Sequence, residues 1–156
     1  MKSKYLLAIG YIFSILNSNL SAQSIEESVN GDTYVLNSLT NMIENKKNKL
    51  AAYNECEYFR IDNVSTVDNE FWKAFSKNRI QELKSKNTKL SLTLFCDSSG
   101  YIKELSFRIS NGVNILSLTE IQLLENQLKK LKLKINNPCE NTKYYVVTKI
   151  YRFEDY

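Results

Sequence analysis

The sequence contains no histidine, and this excludes Ser-His-Asp and Cys-His nucleophilic sites, HExxH metalloproteases and every His-ligated metal centre. Proline occurs once, at Pro138, and glycine four times in 156 residues. No Pro-rich or Gly-rich hinge, internal repeat or low-complexity linker divides the chain, so one compact domain is expected. With 43% hydrophobic and 24% charged residues, its composition is neither disordered nor collagenous, and its length suffices for a real core. Cysteine is scarce as well. Cys56, Cys96 and Cys139 include no CxxC pair, so neither a zinc site nor any other cofactor is expected.

What is present begins with an export signal. Lys2 and Lys4 precede an apolar run from Tyr5 to Leu16, followed by polar residues and the small pair Ser21 and Ala22, the layout of a secretory signal peptide with cleavage after Ala22. The run is too short for a spanning helix, which needs about 20 residues, and the first cysteine, Cys56, lies too far along to take a lipid at the cut. The expected arrangement is residues 1–22 as signal peptide and 23–156 as a single α+β domain, periplasmic or secreted, with no stable membrane insertion after cleavage. Losing two lysines and no acid takes the formal charge from +4 to +2. Near neutrality argues against a nucleic-acid partner, and the basic stretch LKKLKLK at 128–134 reads as a solvated helix end and strand face.

An oxidising compartment permits one disulfide and leaves one odd thiol, and spacing does not choose among the three pairs. Cys96 falls in register with Leu90, Leu92 and Leu94, which points it inward. Cys56 and Cys139 flank strand-like segments and form the candidate pair, against the alternative of three unpaired, mostly buried thiols.

Periodicity then sets the elements. Val35, Leu39, Met42 and Ile43 fit one helix face, with Asp32 as cap. CEYFRI at 56–61 alternates as a short strand. Phe71, Trp72, Phe75, Ile80 and Leu83 predict a helical stretch with an aromatic face and a break at Ser76. KLSLTLFC and YIKELSFRI, joined through Asp97, Ser98, Ser99 and Gly100, predict a β-hairpin with Leu90, Leu92, Leu94, Leu105, Phe107 and Ile109 inward and a wetter opposite face. Thr119 and Gln122 are spaced as a capping box, with Leu118 and Leu123 as a staple, before a helix whose apolar face is Ile121, Leu124, Leu128 and Leu131. KYYVVTKIYRF at 143–153 is apolar on both faces, as a central strand would be. The fold class is therefore α+β: an antiparallel sheet of about four strands with two or three helices packed mainly on one face.

The pieces DSSGYIKELSFRI with SNG, the helix from Thr119, and the closing strand Ile150 to Phe153 give the order hairpin, helix, final strand over residues 89–153. That order resembles the C-terminal domain of TonB-type energy transducers, and the chain is also similar to small exported proteins of unknown function from Gram-negative bacteria. The resemblance implies binding of an envelope protein or peptide by addition of an extended segment to an exposed strand edge, with the last strand one candidate edge.

No catalytic residue is singled out. Without histidine the remaining enzymatic option is a hydrolase using paired carboxylates, for which Glu55 with Glu57, or Asp68 with Glu70, are the nearest pairs. The alternative is a non-enzymatic protein- or peptide-binding module, for which Tyr144, Tyr145 and Tyr151 are the candidate interaction surface. Trp72 beside Phe71 and Phe75 reads as a core anchor.

Overall fold

The computed structural model describes residues 24–49, 59–136, 139 and 144–156. The expected signal peptide, Cys56 and the Glu55–Glu57 pair lie outside them. Six strands form one antiparallel sheet: β1 (Ser24–Val29), β2 (Asp32–Asn37), β3 (Met42–Asn45), β5 (Lys89–Asp97), β6 (Ile102–Ile109) and β8 (Tyr144–Arg152), in the order β1-β2-β3-β6-β5-β8. A small second pairing joins β4 (Arg60–Ile61) to β7 (Ile135–Asn136). Helices α1 (Ser65–Lys73), α2 (Lys77–Ser85) and α3 (Leu118–Leu128) complete the α+β fold.

The sheet is larger than the expected four strands because residues 32–45 do not form a helix. Asn30 and Gly31 both take positive φ, +46° and +84°, the conformation of a two-residue hairpin turn for which Asn-Gly is the favoured pair. Val29 then faces Asp32, and β1 pairs with β2 along its length. At the next turn the Asn37 side chain accepts hydrogen bonds from the Leu39 and Thr40 backbone N–H groups, an Asx turn. Asn41 at φ +55° starts β3. The four apolar residues that mimic a helix face are thereby scattered: Ile43 enters the core, Leu39 sits 66% exposed on the turn, and Val35 and Met42 lie on the other side of the sheet.

Alternation puts Tyr34, Leu36, Ile43, Leu90, Leu92, Leu94, Cys96, Leu105, Phe107 and Ile109 into one core with Val67, Phe71, Ile80, Leu83, Ile121, Leu124 and Leu128 of the helices. All three helices therefore cover one face. The opposite face stays open over much of β5, β6 and β8, where Ser91, Thr93, Arg108, Thr148 and Ile150 are half-buried or exposed. As expected, α1 and α2 are separate, with Ser76 capping α2 by accepting from Arg79 N–H. The capping box of α3 is real but two residues earlier than its spacing predicts. Ser117 accepts from Glu120 N–H, and Glu120 accepts from Ser117 N–H, because Gln122 is needed elsewhere.

β8 is not central. Among the described residues it pairs with β5 alone, from Lys89 opposite Arg152 to Asp97 opposite Tyr144. Its second apolar face reads as buried in sequence, yet Ile150 is 65% exposed.

The hairpin between β5 and β6 closes on Asp97, whose carboxylate accepts from Ser99 and Tyr101 N–H. Gly100 (φ +88°) lies under the Leu133 backbone, where an added Cβ would come within 1.9 Å of the Leu133 carbonyl oxygen. Gly100→Ala therefore combines a left-handed backbone with a backbone clash, and a loss of about 2–4 kcal/mol in urea unfolding is expected; a change under 0.5 kcal/mol would contradict this account of the turn.

Candidate functional site

Three polar clusters fasten the helices, two of them to the sheet and one to each other, and each absorbs a carboxylate. The deepest lies beneath α3. Glu125 is 2% exposed and accepts from Tyr34 Oη at 2.6 Å and Asn45 Nδ2 at 3.2 Å, while Lys129 Nζ meets its other oxygen at 2.6 Å. A charge at this depth is tolerated only when paired and hydrogen-bonded. Burial first, and then the bond to Glu125, push the Tyr34 phenol far above its ordinary pKa. One turn earlier on α3, Gln122 donates to Val29 O and Asp32 Oδ2 and accepts from Asn30 Nδ2. Asp32 also pairs with Lys47 at 2.7 Å, and Lys47 with Gln122 holds its carboxyl below the usual range.

The second cluster joins α2 to α3. Arg79 reaches both oxygens of Glu120, at 2.7 and 3.0 Å, and also bonds Ile115 O. Burial raises the Glu120 carboxyl, but Arg79 and Ser117 more than offset this and leave it below the ordinary range. In the third, Asp68 of α1 accepts from Tyr151 Oη at 2.8 Å and pairs with Lys149 Nζ at 2.8 Å. These carboxylates are occupied by structure. Asp68 and Glu70 do not form a catalytic pair, since two residues apart on a helix they do not face each other and Glu70 bonds Lys73.

Nor do the candidate tyrosines form one surface. Alternation sends Tyr145 and Tyr151 to the helix side, 1% and 5% exposed. Tyr151 stacks on Phe71 with ring centroids 3.7 Å apart, and Tyr145 packs edge-on against Phe59 and donates to Cys139 O. Tyr144 is half-buried on the other side. Trp72 joins the aromatic cluster with Phe71, Phe153 and Tyr156. Cys96 is a free thiol, fully buried and pushed by burial, then by Asp97, up to about 12. Cys139 is disulfide-bonded.

The last strand, a candidate edge from the resemblance, offers backbone whose outward residues only the pairing register identifies. Lys89 O accepts from Ser110 N–H at 2.9 Å, and Thr88 O from Phe153 N–H at 3.2 Å. Hydrogen-bonding sides alternate along an antiparallel strand. Lys89, Ser91 and Thr93 thus bond toward β6, and Leu90, Leu92 and Leu94 bond toward β8 at Tyr151, Lys149 and Val147. It follows that the N–H and C=O groups of Val146, Thr148, Ile150 and Arg152 point away from the sheet. Among the described residues no strand pairs with them. This outer edge of a nine-residue strand is the candidate site.

The fold has a solved counterpart. The chain is similar to a DUF5043 family protein from Bacteroides uniformis, with a TM-score of 0.68 and 18% sequence identity over 83% of this chain and 85% of that one. At that identity the likeness is one of fold. No protein-family model and no curated protein matches the chain. Among the described residues no helix is long and apolar enough to cross a membrane.

The cluster under α3 has a direct test. Tyr34→Phe removes one donor from the buried Glu125 carboxylate, and a loss of about 1.5–3 kcal/mol is expected, read as a shift of the urea midpoint at unchanged slope. An unchanged midpoint would show that the bond contributes nothing.

Proposed function

We propose that this protein is an exported, non-enzymatic binding module of the cell envelope, periplasmic or secreted, that receives an extended segment of a protein or peptide along the outer edge of β8. The observation that carries the reading is the outward backbone of Val146, Thr148, Ile150 and Arg152, unpaired among the described residues. Natural proteins usually shorten, charge or cover such an edge, because any extended chain can bond to it. Strand addition uses that same property, with backbone bonds supplying affinity and alternate side chains supplying selectivity. The order of hairpin, helix and closing strand that resembles the TonB C-terminal domain favours the same mode.

Export follows from residues 1–22 and is consistent with a disulfide at Cys139. With Cys96 buried and free, we propose Cys56 as its partner. Peptide mapping without reduction should recover Cys56 linked to Cys139 and a Cys96 that alkylates only after unfolding. Recovery of a native, reactive Cys96 or of any other pair would refute the assignment.

The edge itself is tested by Thr148→Pro. The Thr148 N–H points outward, so proline there removes an edge donor without taking a bond from the β5 ladder. Immobilised wild-type protein should retain an envelope partner at physiological salt. The variant, folded by circular dichroism, should weaken that retention about tenfold or more, equivalent to about 1.4 kcal/mol. Equal retention by both proteins would sink strand addition at β8.

A further inference from the structure

We infer that the segment received by β8 is acidic, its carboxylates meeting Arg152 and Lys89 on the open face of the sheet, with Arg108 further in adding to the positive field. The inference rests on the strand-addition reading and names the chemistry of its ligand.

These three cations occupy adjoining strands. Lys89 of β5 stands directly opposite Arg152 of β8, and Ser91 stands between Arg108 of β6 and Ile150 of β8. Lys89, Ser91, Arg108, Ser110 and Ile150 line a groove of about 190 Å³ that reaches the edge at Ile150. An adjoining depression of about 520 Å³ shares Lys89 and Ser110 and adds Lys86 and Glu154.

Many described cations elsewhere are paired, although Lys49, Lys77, Lys130 and Lys132 form no ion pair with a described residue. Lys46, Lys47, Lys73, Lys86, Lys129, Lys134 and Lys149 each meet a carboxylate. Lys89, Arg108 and Arg152 form no ion pair with any described residue, and the Arg108 guanidinium reaches only Met42 Sδ at 3.7 Å. Like charges directly opposite on neighbouring strands are destabilising, so the Lys89–Arg152 pair is a local loss that nothing within the described sheet offsets. An acidic ligand would offset it.

The geometry of addition supplies the match. A strand laid against β8 sits about 4.8 Å away, and a residue opposite Arg152 projects its side chain to the same open face, its Cβ about 5 Å from that of Arg152. A carboxylate there meets Arg152 with Lys89 one strand beyond. The next residue on that face, two positions along, stands opposite Ile150 at the mouth of the groove, with Lys89 lining it and Arg108 further in, its guanidinium turned to Met42 of β3. The preferred ligand is thus extended, with Asp or Glu at alternate positions. A second copy of β8 would bring the same cations to the same face, which disfavours self-pairing.

The test is selection from a random decapeptide display library on the purified protein at low ionic strength. Peptides with Asp or Glu at alternate positions should enrich. Reversal to Lys89→Glu with Arg152→Glu should switch the enriched charge to Lys and Arg and weaken the original peptides on the order of tenfold or more. Neutral or basic peptides that nonetheless require an intact Thr148 would overturn the acidic ligand and leave strand addition standing. Acidic peptides that bind Thr148→Pro undiminished would show charge adhesion without an added strand. Because proline could disturb the fold, N-methylation of alternate peptide amides provides the same test from the ligand side: binding that survives at every N-methyl position overturns the proposal. So does concentration-dependent self-association abolished by Thr148→Pro, which would assign the edge to a second copy.

Discussion

Strand β5 is the constraint from which the rest follows. It is bonded on both sides, to β6 through one set of alternate residues and to β8 through the other, and the same period of two sends Leu90, Leu92, Leu94 and Cys96 to one face. Backbone direction and side-chain direction are locked together in an antiparallel strand. Once the even residues of β5 are committed to the core and to β8, the even residues of β8 must carry their side chains on the open face and their backbone groups outward. The edge site is therefore not an independent feature. It is what remains when the core is satisfied.

The N-terminal half of the sheet is fastened differently. β1 is exposed along nearly its whole length, and apolar burial alone would hold it poorly. Its attachment comes through α3, where Gln122 reaches the β1–β2 turn and Glu125 reaches Tyr34 and Asn45. Breaking one member of such a cluster leaves a buried charge short of a partner, which is far more harmful than never having placed it. Glu125, Asp68 and Asp32 fix helices against strands, and Glu120 fixes α3 against α2, each held by a cation or donor.

Much of the C-terminal half was legible in sequence because its signals are local. KLSLTLFC and ELSFRI alternate cleanly around an Asp-Gly turn, Ser76 caps α2 from the adjacent position, and Cys96 follows the leucines inward. The failures come from signals that compete. Val35, Leu39, Met42 and Ile43 match a helical period, but Asn30-Gly31 directly upstream is a hairpin turn, and Asn37 can close a second turn with its own side chain. Turn chemistry outranks a four-residue period in so short a segment. Thr119 and Gln122 fit the capping spacing as well as Ser117 and Glu120 do. The choice is made by Arg79, 41 residues away in sequence, and by the turn that recruits Gln122. No local reading contains that information. The tyrosines of β8 were visible as residues but not as orientations, since which face β8 buries depends on the register of β5.

The same distinction governs how charge should be read. A formal charge near zero argues only about the molecule as a whole, because net charge speaks to solubility and long-range attraction. Recognition at a strand edge is decided over a few ångströms. There, Lys89, Arg108 and Arg152 stand on three neighbouring strands and form no ion pair with a described carboxylate, whereas seven lysines elsewhere are paired at 2.6–3.4 Å. In a chain with nearly equal numbers of acids and bases, pairing could have reached these three as well. The two edges of the sheet also diverge: β1 carries Glu26 and Glu27 on an exposed six-residue strand, whereas β8 is nine residues long and joins its outward backbone to unpaired positive charge. Lys89 and Arg152 face each other beside the longer open edge with no described carboxylate in ion-pair contact, and an acidic strand added there is what would meet that charge.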